Sequence, residues 1–315
     1  MWGICPLNQL QADNKYFLQT SMIPGGGNIN VTDHLGNPCE TIHICESKLT
    51  HIMRWQDMLF ATSVSGEVFG WKITSDAPPL DLLANQIMHV NHSQRVHHIR
   101  VWNDWLCTSS EDQQIKIWDM SNNNNCIATL KGHTDGIFDM CVHDGNLWSS
   151  SRDQTVKVWN TSFQQIYSSK PCGDSVFCLG IWNGNLVSGG ASRKVNIWDN
   201  QFNIVDTLKE QPSAIWFLQE WKHKLWSCGC NVVFVFDADR NFFANIQVDG
   251  ISWIRCAFVW KNAFWCSGDG GVCYKIADAR DWQLERIIWI AHFKEPLSNF
   301  AMLPRDMVRE ILSFM

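Results

Sequence analysis

The stretch GHTDGIFDMCVHDGNLWSSSRDQTVKVWN, residues 132–160, determines how the rest of the chain is interpreted. Short apolar runs alternate in it with turn-forming residues. This alternation predicts β-strands at 137–143, 146–151 and 155–160, and a fourth strand follows at 164–170. Asp-Gly-Asn and Arg-Asp-Gln separate the first three strands and are typical turn sequences. The stretch therefore predicts one small four-stranded antiparallel unit.

The end of this unit recurs along the chain with a nearly constant period. Each copy is a short β-branched strand that closes, in most repeats, on an aromatic residue. The closing positions are Thr32, Trp71, Trp118, Trp159, Trp198, Phe236 and Ile276. Their spacing of about 40 residues is typical of four-stranded units that stack radially around an axis. The sequence predicts an all-β, seven-bladed β-propeller over residues 1–292, with six or eight blades as open alternatives.

Tryptophan recurs at two further phases of the same period, which accounts for many of the 18 Trp in the chain. One phase is the end of the first predicted strand of a repeat, and it holds Trp55, Trp102, Trp182, Trp221 and Trp260. The other phase is in the second predicted strand, and it holds Trp148, Trp226 and Trp265. Large rings at fixed phase are typical of packing between neighbouring sheets rather than of a cofactor site.

Residues 132–160 resemble a WD40 repeat, whose pattern runs Gly-His, a strand, Ser-x-Ser-x-Asp and Trp-Asp. In that family a His, a Ser or Thr, an Asp and the Trp form one hydrogen-bonded tetrad within a blade. By resemblance, the tetrads here are His133, Ser149, Asp153 and Trp159, and His92, Thr108, Asp112 and Trp118. Such a closed network suits buried polar groups, which need partners.

The other repeats depart from this pattern. At the His position they carry Cys45, Cys172, Gln211 and Gly250, and at the Asp position Ser65, Ser192, Cys230 and Gly270. We therefore expect those blades to depend on apolar packing.

The composition of the chain argues against several classes of function. The net charge is −6 and no block of Lys or Arg occurs, which argues against nucleic-acid and membrane-surface binding. No apolar run is long enough for a membrane span. The 13 Cys lack zinc-site spacing, and Cys107, Cys141, Cys178 and Cys266 lie in apolar runs. We expect small buried thiols in a reducing compartment, no metal or other cofactor, and a cytoplasmic or nuclear location.

Catalytic patterns are absent from the sequence. No nucleophile elbow, zinc-protease motif or phosphate-binding loop stands in the required context. His133 and Asp153 fit the structural tetrad better than a catalytic dyad. The adjacent His97 and His98 point to opposite faces of a predicted strand and are poorly placed to share one ion. We expect a non-enzyme, with an active site at the channel mouth as the alternative.

Function is then expected in surface recognition. By resemblance to WD40 proteins, partner peptides bind the face that carries the turns between the second and third strands and the loops between repeats. The residues predicted to project there are Arg95, Glu111, Asp135, Arg152 and Asp174. The sequence favours a non-catalytic scaffold for protein–protein interaction.

The chain ends in LPRDMVREILSFM, residues 303–315, which follows a predicted linker from residue 293. One helical stripe contains the apolar residues Leu303, Met307, Val308, Ile311, Leu312 and Met315. Pro304 suits the first helical turn. This segment resembles the first helix of an F-box, which implies a Skp1-like adaptor and the substrate-recognition subunit of a cullin-type ubiquitin ligase. Its Leu-Pro start is also similar to the end of a SOCS box. The alternatives are packing on its own propeller or on a second copy.

Overall fold

The computed structural model describes residues 4–6, 16–20, 26–33, 38–74, 80–121, 124–250, 252–260, 263–268 and 273–278. Within these residues the chain forms 27 β-strands and no helix. The strands make six four-stranded sheets and one three-stranded sheet, and in each sheet the strands follow chain order. The all-β prediction is confirmed for this part of the chain. The predicted C-terminal helix lies outside it.

The first three sheets cover the N-terminal part of the described chain. Sheet 1 contains β1 (Ile4–Pro6), β2 (Tyr16–Thr20), β3 (Gly27–Asp33) and β4 (Pro38–Cys45). Sheet 2 contains β5 (Leu49–Trp55), β6 (Met58–Ser63), β7 (Glu67–Lys72) and β8 (Gln86–Asn91). Sheet 3 contains β9 (Val96–Trp102), β10 (Trp105–Ser110), β11 (Gln114–Asp119) and β12 (Asn125–Lys131).

Four more sheets follow in chain order. Sheet 4 contains β13 (Ile137–His143), β14 (Asn146–Ser151), β15 (Val156–Trp159) and β16 (Gln165–Ser168). Sheet 5 contains β17 (Val176–Trp182), β18 (Asn185–Gly190), β19 (Asn196–Trp198) and β20 (Ile204–Thr207). Sheet 6 contains β21 (Phe217–Trp221), β22 (Lys224–Cys228), β23 (Val232–Phe236) and β24 (Phe242–Gln247). Sheet 7 contains β25 (Ile254–Trp260), β26 (Ala263–Gly268) and β27 (Cys273–Asp278).

Sheet 4 shows how the local sequence sets the strands. Its four strands closely match the predicted ranges, with small differences at the ends. The first hairpin pairs His143 with Asn146 across Asp144 and Gly145, whose φ angles are 48° and 73°. A two-residue loop with both φ angles positive matches the twist of antiparallel strands and favours an Asp-Gly pair.

The apolar cores lie between adjacent sheets. One buried cluster joins Trp102 of sheet 3 to Met140, Leu147 and Trp159 of sheet 4. The Trp102 indole N–H also donates to the carbonyl of Gly145 at 2.8 Å, so this ring fixes two sheets against each other. The predicted packing role of tryptophan is confirmed here.

The same role recurs further along the chain. Trp148 of sheet 4 packs against Trp198 of sheet 5 with ring centroids 6.2 Å apart. Trp226 of sheet 6 stacks on Phe264 of sheet 7 at 4.4 Å. Each pair fills the space between two consecutive sheets.

First strands of consecutive sheets contact one another. β9 contacts β5 and β13, and β17 contacts β13 and β21. β21 also contacts β25, and β1 contacts both β5 and β25. The first strand of each sheet therefore lies on the inner side of the arrangement.

Cys107, Cys141 and Cys178 are free thiols. Cys107, Cys141, Cys178 and Cys266 are buried, as predicted from their apolar surroundings. Burial raises the pKa of the Cys141 thiol to about 11, so this group stays protonated and packs as a small apolar residue.

Candidate functional site

Four side chains of sheet 4 form one directed hydrogen-bond chain. The Trp159 indole N–H donates to Ser149 Oγ at 2.9 Å, and Ser149 Oγ lies 2.8 Å from His133 Nε2. His133 Nδ1 lies 2.7 Å from Asp153 Oδ2. Because the carboxylate can only accept, Nδ1 carries the proton and the Ser149 hydroxyl donates to Nε2. Burial, the largest influence, lowers the pKa of His133, which favours this neutral form of the imidazole.

Sheet 3 repeats the arrangement. Trp118 Nε1 donates to Thr108 Oγ1 at 2.9 Å, and Thr108 Oγ1 lies 2.8 Å from His92 Nε2. His92 Nδ1 lies 2.9 Å from Asp112 Oδ2. Burial alone would raise the pKa of Asp112, but the hydrogen bond from His92 holds it at about 2.

The geometry of both tetrads is that of a structural network. The side chains of His133 and Asp153 are 0 % and 5 % exposed, so no substrate reaches them. From the indole N–H to the carboxylate, each polar side-chain group forms a hydrogen bond within the same blade. This satisfies buried groups rather than leaving a base available for catalysis.

Sheet 6 contains a polar pair that the sequence pattern missed. Gln211, at the His position, is 2 % exposed and its Nε2 donates to Ser227 Oγ at 2.7 Å. The Ser227 hydroxyl donates back to Gln211 Oε1 at 3.1 Å. Because a side-chain amide can both donate and accept, it replaces the imidazole toward this serine. Sheet 6 thus combines the apolar packing expected of a blade without a full tetrad with this buried polar pair. The signal was Gln211 standing at the His position.

Aromatic rings form a continuous row at the start of the first strands. β-Bulges place His97, Phe138 and Phe177 out of the ladder register of β9, β13 and β17. Trp216 directly precedes β21 and Trp253 precedes β25. We call these five residues the aromatic row.

Neighbouring rings of the aromatic row are in contact. The centroid distances are 4.7 Å for His97–Phe138, 5.1 Å for Phe138–Phe177, 4.3 Å for Phe177–Trp216 and 5.8 Å for Trp216–Trp253. The Phe177 and Trp216 rings are nearly parallel, at 6°. The row links sheets 3 to 7, and Trp253 at its end is 38 % exposed. Sequence reasoning missed it, although every member falls near the start of its repeat's first strand.

Charged groups cover the sheet 3 and sheet 4 end of the row. Glu111 Oε2 lies 2.5 Å from His97 Nε2, and Glu111 Oε1 lies 2.6 Å from Arg152 Nη1. The guanidinium of Arg152 also lies 5.2 Å above the Phe138 ring and 3.6 Å from Asp135 Oδ1. The hydrogen bond from His97 is the main reason that the pKa of Glu111 falls to about 2, while burial lowers the pKa of His97 to about 4.

Three of the five predicted face residues thus converge on one cluster: Glu111, Asp135 and Arg152. The Arg95 carbonyl accepts a hydrogen bond from Glu111 N at 2.8 Å. Asp174 is exposed and belongs to the loop before β17. The tail residues Leu303, Pro304, Met307, Val308, Ile311 and Leu312 lie outside the described residues.

Other site classes find little support in the described ranges. No group of three or more His, Cys, Asp or Glu side chains there could hold a metal ion. His97 and His98 diverge as expected, since His98 pairs with Asp139 at 3.0 Å while His97 contacts Glu111. No helix among the described residues is long and apolar enough to cross a membrane.

Comparison with known proteins identifies part of the chain. The family model described as WD domain, G-beta repeat matches residues 85–119 and 124–160, which span sheet 3 and most of sheet 4. No curated protein shows a significant match to this chain.

Among solved structures, the crystal structure of the computationally designed Ika8 protein is similar, with a TM-score of 0.68 and 17 % identity. The similarity covers 85 % of this chain and 82 % of the designed one. At this identity the likeness concerns the fold alone, and 1304 solved chains match, so the fold does not select a function. The chain carries two WD40 repeats, at residues 85–119 and 124–160, and its described residues form a β-propeller-like, all-β fold.

Proposed function

We propose that residues 1–292 form a closed seven-bladed propeller that serves as a non-catalytic scaffold for protein partners. The contact between β1 and β25 supports closure, because it joins the first and last sheets. The chain-order topology supports one blade per sheet, with no strand exchanged between described sheets. WD40 domains typically bind proteins, and loops on such a rigid scaffold commonly carry the contacts.

The aromatic row is the observation that carries this proposal. Phe138, Phe177 and Trp216 are only half-buried, and Trp253 is exposed. Aromatic residues are enriched in protein interfaces because they provide large contact area for little lost conformational freedom. A row of them across five sheets suits an extended partner segment.

The chemistry of this face favours a scaffold over an enzyme. At the sheet 3 and sheet 4 end of the row, titratable side chains are engaged with one another, as in the contacts of Glu111 with His97 and Arg152. A general base would need an accessible proton acceptor near a substrate cavity. In the described cluster, none of these three groups is an accessible proton acceptor beside a substrate cavity.

Site-specific photo-crosslinking tests the binding face. Benzoylphenylalanine is placed at Phe177, or as a matched control at Val205, which is 49 % exposed on the outer strand β20. We expect position 177 to crosslink a defined partner in cells and position 205 to give background only. Equal crosslinking from both positions, or none from position 177, would contradict the proposed face.

The ubiquitin-ligase hypothesis concerns residues 293–315, which lie outside the described chain, and it stays a prediction. Affinity purification with and without residues 296–315 tests it. Recovery of a Skp1-like or elongin-like adaptor only with the full chain would support adaptor recruitment. Loss of thermal stability on deletion, without any adaptor, would instead support packing on the propeller.

A further inference from the structure

Sheet 4 provides its own cation for the aromatic row. The Arg152 guanidinium lies 5.2 Å from the centroid of the Phe138 ring. Its Nη1 contacts Glu111 at 2.6 Å and Asp135 at 3.6 Å. An aromatic face and carboxylates on the same guanidinium form a complete arginine site, since the ring quadrupole and the anions both attract the cation.

Sheet 5 repeats the backbone of this site. Ala191 directly follows β18, as Arg152 directly follows β14, so it stands where sheet 4 has Arg152. The Arg152 amide donates to the Gly136 carbonyl at 2.9 Å, and the Ala191 amide donates to the Ser175 carbonyl at 2.9 Å. The two positions are therefore structurally equivalent.

Sheet 5 also repeats the ring and one of the two carboxylates. Phe177 corresponds to Phe138, and Asp174 to Asp135, at the same sequence spacing that separates Ala191 from Arg152. Both phenylalanines are bulged out of the ladder. Each aspartate accepts a hydrogen bond from the next backbone amide at 2.7 Å, so the two carboxylates are held alike.

The cation is the part that sheet 5 lacks. In the described part of the chain Asp174 forms no ion pair and no Lys or Arg lies over the Phe177 ring. Asp174 is exposed and Ala191 half-buried, so the place is reachable from solvent. The charge of Arg152, in the equivalent place of sheet 4, is balanced by Glu111 and Asp135.

We propose that an arginine side chain of a partner protein occupies this place, beside Phe177 and Asp174 and above Ala191. The inference rests on the proposed function and specifies the partner chemistry of that face. The partner residue takes the role that Arg152 has in sheet 4. Arginine suits the place better than lysine because its planar guanidinium stacks on a ring and contacts a carboxylate at the same time.

The probe is the peptide acetyl-Gly-Gly-Arg-Gly-Gly-amide, titrated into the full chain and followed by amide NMR shifts. Its control is the same peptide with citrulline, a neutral side chain of nearly the same shape. For one cation–π contact and one exposed ion pair we expect a Kd on the order of millimolar. The shifts should centre on residues 174–177 and 191, and the citrulline peptide should bind roughly fivefold or more weakly.

Variants of the full chain sharpen the test. Ala191→Arg supplies the missing cation from within, so it should abolish peptide binding while the melting temperature stays the same or rises. Asp174→Asn should weaken binding by about three- to tenfold. The matched change Asp135→Asn should weaken it less than about twofold, because that carboxylate serves Arg152.

Three outcomes would overturn the inference: no localised shifts with the arginine peptide, equal binding of the citrulline peptide, or unchanged binding in Ala191→Arg. If the Ala191→Arg variant does not fold, the comparison of peptide binding by Asp174→Asn and Asp135→Asn still tests the inference. Crosslinking from position 177 without arginine-peptide binding would reject the cation site and leave the scaffold function standing. Failure of both would reject the binding face as well.

Discussion

Asp139 is expected to be one of the most sensitive polar positions of the fold. It lies on β13 and is 5 % exposed. Its Oδ2 accepts from Leu179 N of sheet 5 at 2.9 Å, and its Oδ1 lies 3.0 Å from His98 Nδ1 of sheet 3. The His98 ring stacks on His51 of sheet 2 at 4.5 Å. One carboxylate therefore joins a polar chain across four sheets.

The size of the effect of Asp139→Ala follows from these contacts. Burial lowers the pKa of His98, and its Nδ1 lies in close contact with the Asp139 carboxylate at 3.0 Å. Hydrogen bonds to charged groups contribute about 1.5–3 kcal/mol, and the substitution removes the one from Leu179 N together with the close contact to His98, both between sheets. Because the effects overlap, we expect a loss of about 3–5 kcal/mol in the free energy of unfolding.

Thermal unfolding measures this loss. An unfolding entropy of about 2.1 cal/mol/K per residue, applied to the 315 residues, converts it to a fall of roughly 5–8 °C in Tm. Scans are run at one heating rate, with a refolding check, because irreversible unfolding makes the midpoint rate-dependent. Asp139→Asn, which keeps one carbonyl acceptor, should fall between Asp139→Ala and the wild type.

Asp135→Ala is the matched control, since this side chain is 43 % exposed and pairs with Arg152 only at 3.6 Å. We expect it to change Tm by less than about 2 °C. If Asp139→Ala is no more destabilising than Asp135→Ala, the carboxylate does not connect the sheets energetically. The polar chain would then be a by-product of apolar packing.

Three further outcomes are expected. Ser149→Ala removes the partner of a buried indole and of a buried imidazole, so its Tm should fall about twice as far as that of Ser188→Ala, whose hydroxyl accepts only from Trp198 among the described residues. His97, with its folded pKa lowered from 6.5 to about 4, contributes stability that is complete above pH 6.5 and is lost as pH falls toward 4. The denaturant midpoint of the wild type should therefore fall when the pH is lowered from 7 to 5, and it should fall less in His97→Gln. An equal pH dependence of the midpoint in the two proteins would contradict the assigned neutral state of His97. Gly190→Ala would press a Cβ into the Ser175 carbonyl oxygen, so it should destabilise by about 1–3 kcal/mol. Gly189→Ala meets the Ile215 Cγ2 methyl at 2.8 Å, a milder overlap, and should cost less. Similar denaturant midpoints for the two variants would contradict this difference.

The sequence predicted the repeat architecture well because the repeat is local. Turn pairs such as Asp144-Gly145 and closing residues such as Trp159 act within one repeat, so their spacing is visible along the chain. His133 and Asp153 belong to the same repeat and the same sheet, which makes their hydrogen bond predictable from the pattern.

Contacts between sheets were not predictable in the same way. The pairing of His98 with Asp139 joins residues of different repeats and different sheets, and no single repeat contains both. The aromatic row is similar, because His, Phe and Trp at one structural position form no uniform motif. It becomes visible only in the structure, where β-bulges place His97, Phe138 and Phe177 beside one another and the rings of Trp216 and Trp253 continue the row.

The sheets of this chain differ in whether their own side chains cover the aromatic row. Sheets 3 and 4 hold complete tetrads, and their members of the aromatic row are covered by Glu111 and Arg152. Sheets 5 and 6 lack the tetrad histidine and carry Ala191 and Gly229 at the covering position. A side chain that already satisfies a ring and a carboxylate adds rigidity, but it leaves nothing for a partner to satisfy. Replacing it with a small residue gives up that internal contact, and the ring and carboxylate of sheet 5 are then available to a second molecule.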